Sequence, residues 1–192
     1  MKKISIIFGT RPEAIKLVPL ILSLRKNPDL FVQVCITGQH RHMLDQVLSL
    51  FDIKPDIDLD IMVHNQSLSG LTSSAIRSIE EYVLKSRPDL IIVQGDTTSV
   101  LCASIVGFYN KIPIAHVEAG LRTWNINSPF PEEMNRSFVS KIADLHFCPT
   151  ELSKKNLLEE NILESKIFVC GNTVIDTLLM AVEKIELIEV KP

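Results

Sequence analysis

Short apolar runs rich in β-branched residues alternate with longer amphipathic stretches along the chain. Runs of this kind predict the buried strands of a parallel sheet, and the longer stretches predict the helices between them. The predicted strands are 4–8, 31–37, 90–94, 112–117, 145–148 and 167–170. The predicted helices are 12–25, 43–50, 68–86, 98–109, 132–143, 151–158 and 173–184. This alternation favours a three-layer, doubly wound α/β domain with a mainly parallel sheet, whose ligands bind beyond the carboxyl ends of the strands.

Two stretches depart from the alternation. The segment IKPDIDLDIM at 53–62 has room for a short extra strand. The tail ELIEVKP after Lys184 loses helical signals and ends in proline. We interpret that tail as the edge of a domain or the entry to a further one.

Composition and charge narrow the class of protein. The 192 residues are 46% apolar, which suffices for a sizeable core, and a net charge of -3 with scattered cations argues against nucleic acid as a partner. The four cysteines are Cys35, Cys102, Cys148 and Cys170. They form no CxxC pair and no short Cys/His spacing, which favours buried reduced thiols over a zinc site. No apolar run is long enough for a signal peptide or membrane span. We therefore expect a soluble, cytoplasmic protein without a metal.

The turn FGTRPEAIK joins the first predicted strand to the first helix. Free backbone amides and the helix dipole favour an anion such as phosphate at such a turn. Thr10 and Glu13 fit a capping box, which gives Glu13 a sufficient structural role. Capping uses neither Arg11 nor Lys16, so these two cations are candidate contacts for a diphosphate.

Acidic residues mark three further turns. Asp96 follows an apolar strand in QGDTTS, where it either caps the next helix or faces the cleft. Glu118 ends the strand IPIAHVE, where it either pairs with Arg122 or belongs to a site. Glu132 and Glu133 occupy the first turn of the helix in SPFPEEMNR. Successive helical residues diverge by about 100°, so at most one of these two glutamates points into a shared site.

Asp96, Glu118 and one of the two glutamates are thus expected at adjacent turns of one sheet edge. His116 is expected on the same strand face as Glu118 but is better explained as a core residue. Arg136 is placed either to pair with Glu132 or to reach a phosphate. The candidate substrate-binding cations are Arg11, Lys16, Arg122 and Arg136. Neighbouring carboxylates raise each other's pKa, so one holds a proton while another accepts one, which suits a sugar or nucleotide substrate.

Six motifs in register also carry a family resemblance: GTRPEAIK, TGQHRHMLDQV, QGDTTS, HVEAGLRT, PFPEEMNR and GNTVIDTL. Their order and separation resemble the non-hydrolysing UDP-N-acetylglucosamine 2-epimerases along essentially the whole chain. The resemblance implies a GT-B-like, two-domain enzyme, homodimeric at full length, of which this chain matches only the N-terminal, Rossmann-like domain. It implies that domain at 1–172 and a helix and tail at 173–192 that lead toward an absent second domain, which supplies a catalytic histidine and much of the UDP pocket.

The implied reaction inverts C2 of UDP-N-acetylglucosamine (UDP-GlcNAc) to give UDP-N-acetylmannosamine. It proceeds by anti elimination of UDP to a 2-acetamidoglucal and re-addition of UDP, and implies no metal or NAD cofactor. By position, Asp96, Glu118 and Glu132 match the catalytic carboxylates of the family, and Arg11 and Lys16 match its substrate contacts. Gln39 and His40 match part of the site where a second UDP-GlcNAc molecule activates bacterial members.

Three interpretations follow from the sequence. The chain is half of an epimerase that a second domain or a separate C-terminal polypeptide completes. Alternatively it belongs to a hydrolysing epimerase, which releases UDP and free N-acetylmannosamine, although the PFPEEMNR and GLRT forms favour the non-hydrolysing group. In the third interpretation it is a non-catalytic domain that binds a nucleotide sugar or a partner chain.

Overall fold

A parallel sheet with helices on both faces forms the framework of the molecule. The computed structural model describes residues 1–38, 41–63 and 65–189. Within these ranges seven strands form one sheet in the order β3-β2-β1-β4-β5-β6-β7, and the paired strands run parallel. The strands are β1 Lys2–Phe8, β2 Leu30–Ile36, β3 Ile57–Asp58, β4 Leu90–Gln94, β5 Ile114–Val117, β6 Leu145–Cys148 and β7 Ile167–Val169. The helices are α1 Arg11–Arg25, α2 Arg41–Leu50, α3 Leu68–Ser86, α4 Thr98–Tyr109, α5 Glu132–Ile142, α6 Glu151–Glu159 and α7 Val174–Glu189, with a 3-10 turn at Glu164–Lys166. The doubly wound α/β prediction is confirmed.

The order of elements follows the predicted alternation, with one correction. The extra strand expected within 53–62 is β3, which pairs with β2. The prediction that helical structure ends near Lys184 is wrong, because α7 continues to Glu189. Leucine and glutamate in that stretch are good helix formers. Lys184 is also anchored, since its ammonium donates to the backbone oxygen of Leu50 at 2.8 Å and to Asp52 at 2.6 Å.

Strand periodicity distributes the core between the two faces of the sheet. Ile4, Ile6 and Phe8 of β1 pack with α1 and α2 on one face, whereas Ile7 packs with α3, α4 and α5 on the other. Met180 of α7 packs on the first face. Since helices cover both faces, the turns at the carboxyl ends of the strands are left to form a site.

The strand order places that site. Strand β1 lies between β2 and β4, so successive connections leave it in opposite directions. Such a topological switch point opens a crevice beyond the strand ends in doubly wound sheets. Here the crevice is bordered by the turn between β1 and α1 and by the turn between β4 and α4.

Helix α7 is seated on α1 by hydrogen bonds as well as by packing. The hydroxyl of Thr173 donates to the backbone oxygen of Lys16 at 2.5 Å. The hydroxyl of the buried Thr177 donates to the backbone oxygen of Ile15 at 2.5 Å. Among the described helices, none combines the length and apolarity needed to cross a membrane.

Gly120, two residues after Glu118, tests how tightly this region is packed. A Cβ at Gly120 (φ +87°) would lie 2.3 Å from the backbone oxygen of Ser153, whereas one at Gly171 (φ +80°) would meet no described atom within 4 Å. We expect Gly171→Ala to lower the free energy of unfolding by about 1–2 kcal/mol through backbone strain. Gly120→Ala should cost about 1–3 kcal/mol more through overpacking. Urea unfolding of the two variants measures the difference, and equal losses would contradict the close approach.

Candidate active site

Glu118 is held at the end of β5 by donors from three other segments. Its backbone is left-handed, with φ +64°, a conformation that costs a non-glycine residue about 1–3 kcal/mol. Its Oε2 accepts from Lys16 Nζ at 2.5 Å and from Gln94 Nε2 at 2.6 Å, and its Oε1 accepts from Asn172 Nδ2 at 3.1 Å. The partner of Glu118 is therefore Lys16, and the alternative of an ion pair with Arg122 is wrong.

Asp96 faces the same edge from the turn after β4. The cap of α4 is Thr97, whose hydroxyl accepts from the backbone N–H of Val100, so Asp96 has no capping role. Its Oδ2 lies 2.7 Å from Nη2 of Arg136 in α5. Burial raises the pKa of Asp96, and although Arg136 opposes that shift, the negative charges of Glu118 and Glu132 add to it. The raised pKa of Asp96 thus favours its protonated form relative to an ordinary aspartate.

The two glutamates that begin α5 have separate environments, as helical spacing predicts. Glu133 is 3% exposed, and its Oε1 accepts from the backbone N–H groups of Thr123 and Trp124, each at 3.0 Å. Arg136 lies 3.5 Å from its other oxygen. Glu132 is half-buried and acts electrostatically on Asp96. Glu133 therefore holds the loop before α5, and Glu132 is the member of the pair whose charge raises the pKa of Asp96.

Glu13 occupies the anion position at the start of α1. Its Oε2 accepts from the backbone N–H groups of Gly9 and Thr10 at 2.8 and 2.7 Å, which completes the predicted capping box. Its Oε1 accepts from the hydroxyl of Thr97 at 2.6 Å. The Gly9 and Thr10 amides that were expected to attract a phosphate are thus taken by a side chain of the protein itself. Among the cations of this turn, Arg11 is exposed and Lys16 binds Glu118.

Arg122 contacts Glu160 and not Asp96 or Glu118. Its side chain is 1% exposed and bonds Glu160 through two nitrogens, at 2.5 and 3.1 Å. It also donates to the hydroxyl of Ser140 at 2.8 Å. These contacts join the loop after β5 to α5 and α6, so the geometry gives Arg122 a structural role. Gln39 and His40, the candidate activator contacts, lie outside the described residues.

Comparison of the sequence and structure with known proteins identifies the family of this chain. A family profile described as UDP-N-acetylglucosamine 2-epimerase matches residues 22–191. The chain belongs to the UDP-N-acetylglucosamine 2-epimerase family. It is 52% identical over 189 residues to the UDP-N-acetylglucosamine 2-epimerase of Neisseria meningitidis, covering 98% of this chain and 51% of that protein. It is 53% identical over 180 residues to the Bacillus subtilis enzyme of the same name, covering 93% of this chain and 47% of that protein.

Solved structures agree with this family and with its fold. The Neisseria meningitidis epimerase bound to UDP-GlcNAc matches with a TM-score of 0.94 and 52% identity, over 98% of this chain and 52% of that one. The Methanocaldococcus jannaschii epimerase, in complex with UDP-GlcNAc and UDP, matches at 0.88 with 41% identity, over 93% and 49%. Acinetobacter baumannii MurG, at 0.65, 13% identity and coverage of 90% and 46%, shares the GT-B-like fold alone. The chain therefore spans about half the length of the epimerases that it matches.

Sequence reasoning missed three polar residues that support the carboxylates. Gln94 and Asn172 donate to Glu118, and Asn135 Nδ2 donates to the backbone oxygen of Asp96 at 2.8 Å. Gln94 gives a usable signal, because a polar residue that ends an otherwise apolar strand is placed at the sheet edge. Asn172 lies in the GNTVIDTL motif but has no local pattern that points to Glu118.

His116 is a core residue beneath the site, as expected. It is 1% exposed, and its Nε2 donates to the backbone oxygen of Gly95 at 2.7 Å. Burial lowers the pKa of His116 to about 4. The ring is therefore neutral near pH 7 and supports the turn that carries Asp96.

This histidine should make the fold acid-sensitive. Between pH 6.5 and about 4 the unfolded chain binds a proton at His116 that the folded chain does not, so stability falls as the pH falls through this window. We expect the loss to be smaller in His116→Gln, which keeps a donor for Gly95, by roughly 1–3 kcal/mol. Urea unfolding between pH 4 and 7 measures it. Identical pH profiles for the two proteins would contradict a buried neutral ring.

Proposed function

We propose that this chain supplies the N-terminal half of the active site of a non-hydrolysing UDP-GlcNAc 2-epimerase. The observation that carries the proposal is the meeting of Asp96, Glu118 and Glu132 at one sheet edge in different electrostatic environments. Epimerisation through elimination needs a group that accepts the C2 proton and a group that returns one to the opposite face. A cluster of carboxyl groups with unlike surroundings meets that need.

The contacts of Glu118 and Asp96 also suggest which of them accepts the C2 proton and which donates one. Three donors, one of them the ammonium of Lys16, hold the carboxylate of Glu118 in place, and a fixed carboxylate suits the group that accepts the C2 proton. Asp96, whose pKa is raised by burial, suits the group that carries a proton. In the proposed reaction the C2–H electron pair forms the C1–C2 double bond as the C1–O bond to UDP breaks. Protonation of the glucal on its other face and re-addition of UDP complete the inversion without a metal or NAD.

The proposal includes a second half that provides the opposite wall of the cleft. We propose that 1–172 is the Rossmann-like domain and that 173–192 leads toward the remaining domain, in the same or a separate polypeptide. The support is that the chain spans about half the length of its relatives and that α7 begins at the candidate site. We also propose a homodimer of the whole enzyme and a cytoplasmic location, the latter because the described cysteines are free thiols.

A hybrid enzyme tests the proposal directly. This chain is joined to the C-terminal half of the Neisseria meningitidis relative, and incorporation of deuterium at C2 of UDP-GlcNAc in D₂O is followed by NMR. We expect Asp96→Asn and Glu118→Gln to lower the exchange rate by about 10²–10⁴-fold, since each removes an acid–base group. Glu159→Gln, on the exposed face of α6, is the matched control and should leave the rate unchanged.

The same NMR spectra separate the alternatives. Free N-acetylmannosamine that accumulates from the start would show a hydrolysing enzyme. Calorimetric binding of UDP-GlcNAc by the 192-residue chain, with no exchange by the hybrid, would show a binding domain that is not catalytic. Full turnover by the 192-residue chain alone would overturn the need for a second half.

Two arginines named from the sequence should behave differently in the hybrid. Arg11 is exposed at the turn after β1, so Arg11→Met should raise KM for UDP-GlcNAc by about 10–100-fold through the loss of a charge-assisted contact, with stability retained. Arg122→Met leaves Glu160 without its buried partner and should lower the free energy of unfolding by about 3–5 kcal/mol. Steady-state kinetics and urea unfolding give both values. A KM effect at Arg122 without loss of stability would contradict its structural role.

A further inference from the structure

Asn172 uses both ends of its side-chain amide. It lies in the turn between β7, which ends at Val169, and α7, which begins at Val174. Its Oδ1 accepts from the backbone N–H of Val174 at 3.1 Å, which forms an Asx turn at the start of the helix. A backbone N–H only donates, so this bond fixes the orientation of the amide and directs Nδ2 to Oε1 of Glu118, at 3.1 Å.

The same helix start is tied to the other partner of Glu118. Thr173 donates to the backbone oxygen of Lys16, and the ammonium of Lys16 donates to Oε2 of Glu118. Residues 172 and 173 and Lys16 therefore form a closed set of contacts that joins α7, α1 and the end of β5. A shift of the α7 start relative to α1 has to alter the contacts of Glu118.

The two oxygens of Glu118 are held unequally. Oε2 accepts from Lys16 and Gln94, whereas Asn172 is the donor described for Oε1. The terminal torsion of a glutamate side chain is broad and weakly restrained by itself. The Asn172 bond therefore adds a restraint on Oε1 to the two bonds that hold Oε2, and together they fix the rotation of the carboxylate about that torsion. Among the described charged groups, Lys16 of α1 contacts Glu118, and Asp96 of the β4 turn is electrostatically coupled to it.

We propose that Asn172 is a positioning residue that fixes the carboxylate of Glu118 and makes its orientation depend on how α7 is seated on α1. The catalytic consequence rests on the proposed function, since it requires Glu118 to act on the sugar. The structural consequence does not, because the contacts exist in this chain alone. Through Asn172, motion of the segment that leads out of the domain reaches the candidate active site.

Two substitutions separate the helix-start contact from the Glu118 contact. Asn172→Asp keeps an oxygen for the Asx turn but sets a second carboxylate oxygen against Glu118 in place of the donor. Asn172→Ser also keeps a turn-forming oxygen and removes the donor without adding charge. The matched control is Asn27→Asp, which makes the same change in an exposed Asx turn, where Oδ1 of Asn27 accepts from the backbone N–H of Asp29 at 2.9 Å.

The first measurement uses the 192-residue chain and no substrate. The side-chain amide signals of Gln94 in ¹⁵N–¹H spectra report the position of Glu118, because Gln94 donates to its other oxygen. We expect these signals to move in Asn172→Asp and Asn172→Ser and to stay in place in Asn27→Asp, with similar thermal midpoints for all. Unchanged Gln94 signals in both Asn172 variants would overturn the proposal. Circular dichroism identifies a variant that fails to fold, in which case the Ser variant decides.

The second measurement uses the hybrid enzyme. We expect Asn172→Asp to lower kcat by about 10²-fold with KM within about threefold, because a misplaced reacting group loses rate rather than binding. Asn172→Ser should lose about five- to tenfold, the effect of one hydrogen bond. A wild-type kcat in Asn172→Asp would overturn the positioning role. A different outcome separates the two ideas: the Gln94 signals move, but the Glu118→Gln hybrid keeps the wild-type rate of exchange at C2. That result would overturn the proposed function and support the structural coupling through Asn172.

Discussion

The ion pair between Lys16 and Glu118 is the contact on which the candidate site depends. It joins residues 102 positions apart, at 2.5 Å, with the two side chains only 24% and 13% exposed. Partly desolvated charges are costly unless they are paired and hydrogen-bonded. Gln94 and Asn172 supply two further hydrogen bonds, so β4, the turn after β7 and α1 all converge on Glu118. The strained backbone at Glu118 is tolerated because these contacts determine it.

The acidic residues around this edge of the sheet differ in how many hydrogen bonds their carboxylates accept from the protein. Glu13 accepts four hydrogen bonds and binds the turns after β1 and β4 together. Glu133 accepts two backbone N–H groups and holds the loop before α5. Asp96 contacts Arg136 through Oδ2, and burial together with the charges of Glu118 and Glu132 raises its pKa. Local hydrogen bonding therefore distinguishes Glu13 and Glu133 from the two proposed catalytic residues, although all four are acidic residues at turns in the sequence.

The pattern of apolar and polar residues predicted the fold closely. Every predicted strand and helix is present in the described residues. The spacing of apolar residues along the chain reflects which face of a strand or helix is buried, so it predicts these elements locally. The end of α7 was predicted too early, because the tail contains good helix formers and because Lys184 is anchored to Leu50 and Asp52, a contact that local sequence does not show. The pairing of Glu118 with Arg122 was also wrong, because proximity in sequence suggested a partner that the fold directs to Glu160 instead.

The sequence by itself determined the order of the elements, the turns that carry Asp96, Glu118 and Glu132, and the family through its motifs. These follow from short-range rules, since side-chain period and turn chemistry depend on neighbours along the chain. Only the tertiary structure decided which polar side chains meet. Lys16 and Asn172 reach Glu118 across separations of 102 and 54 residues, and no local spacing encodes such a meeting. It arises because parallel strands bring distant turns to one edge of the sheet, where electrostatics then selects the partners.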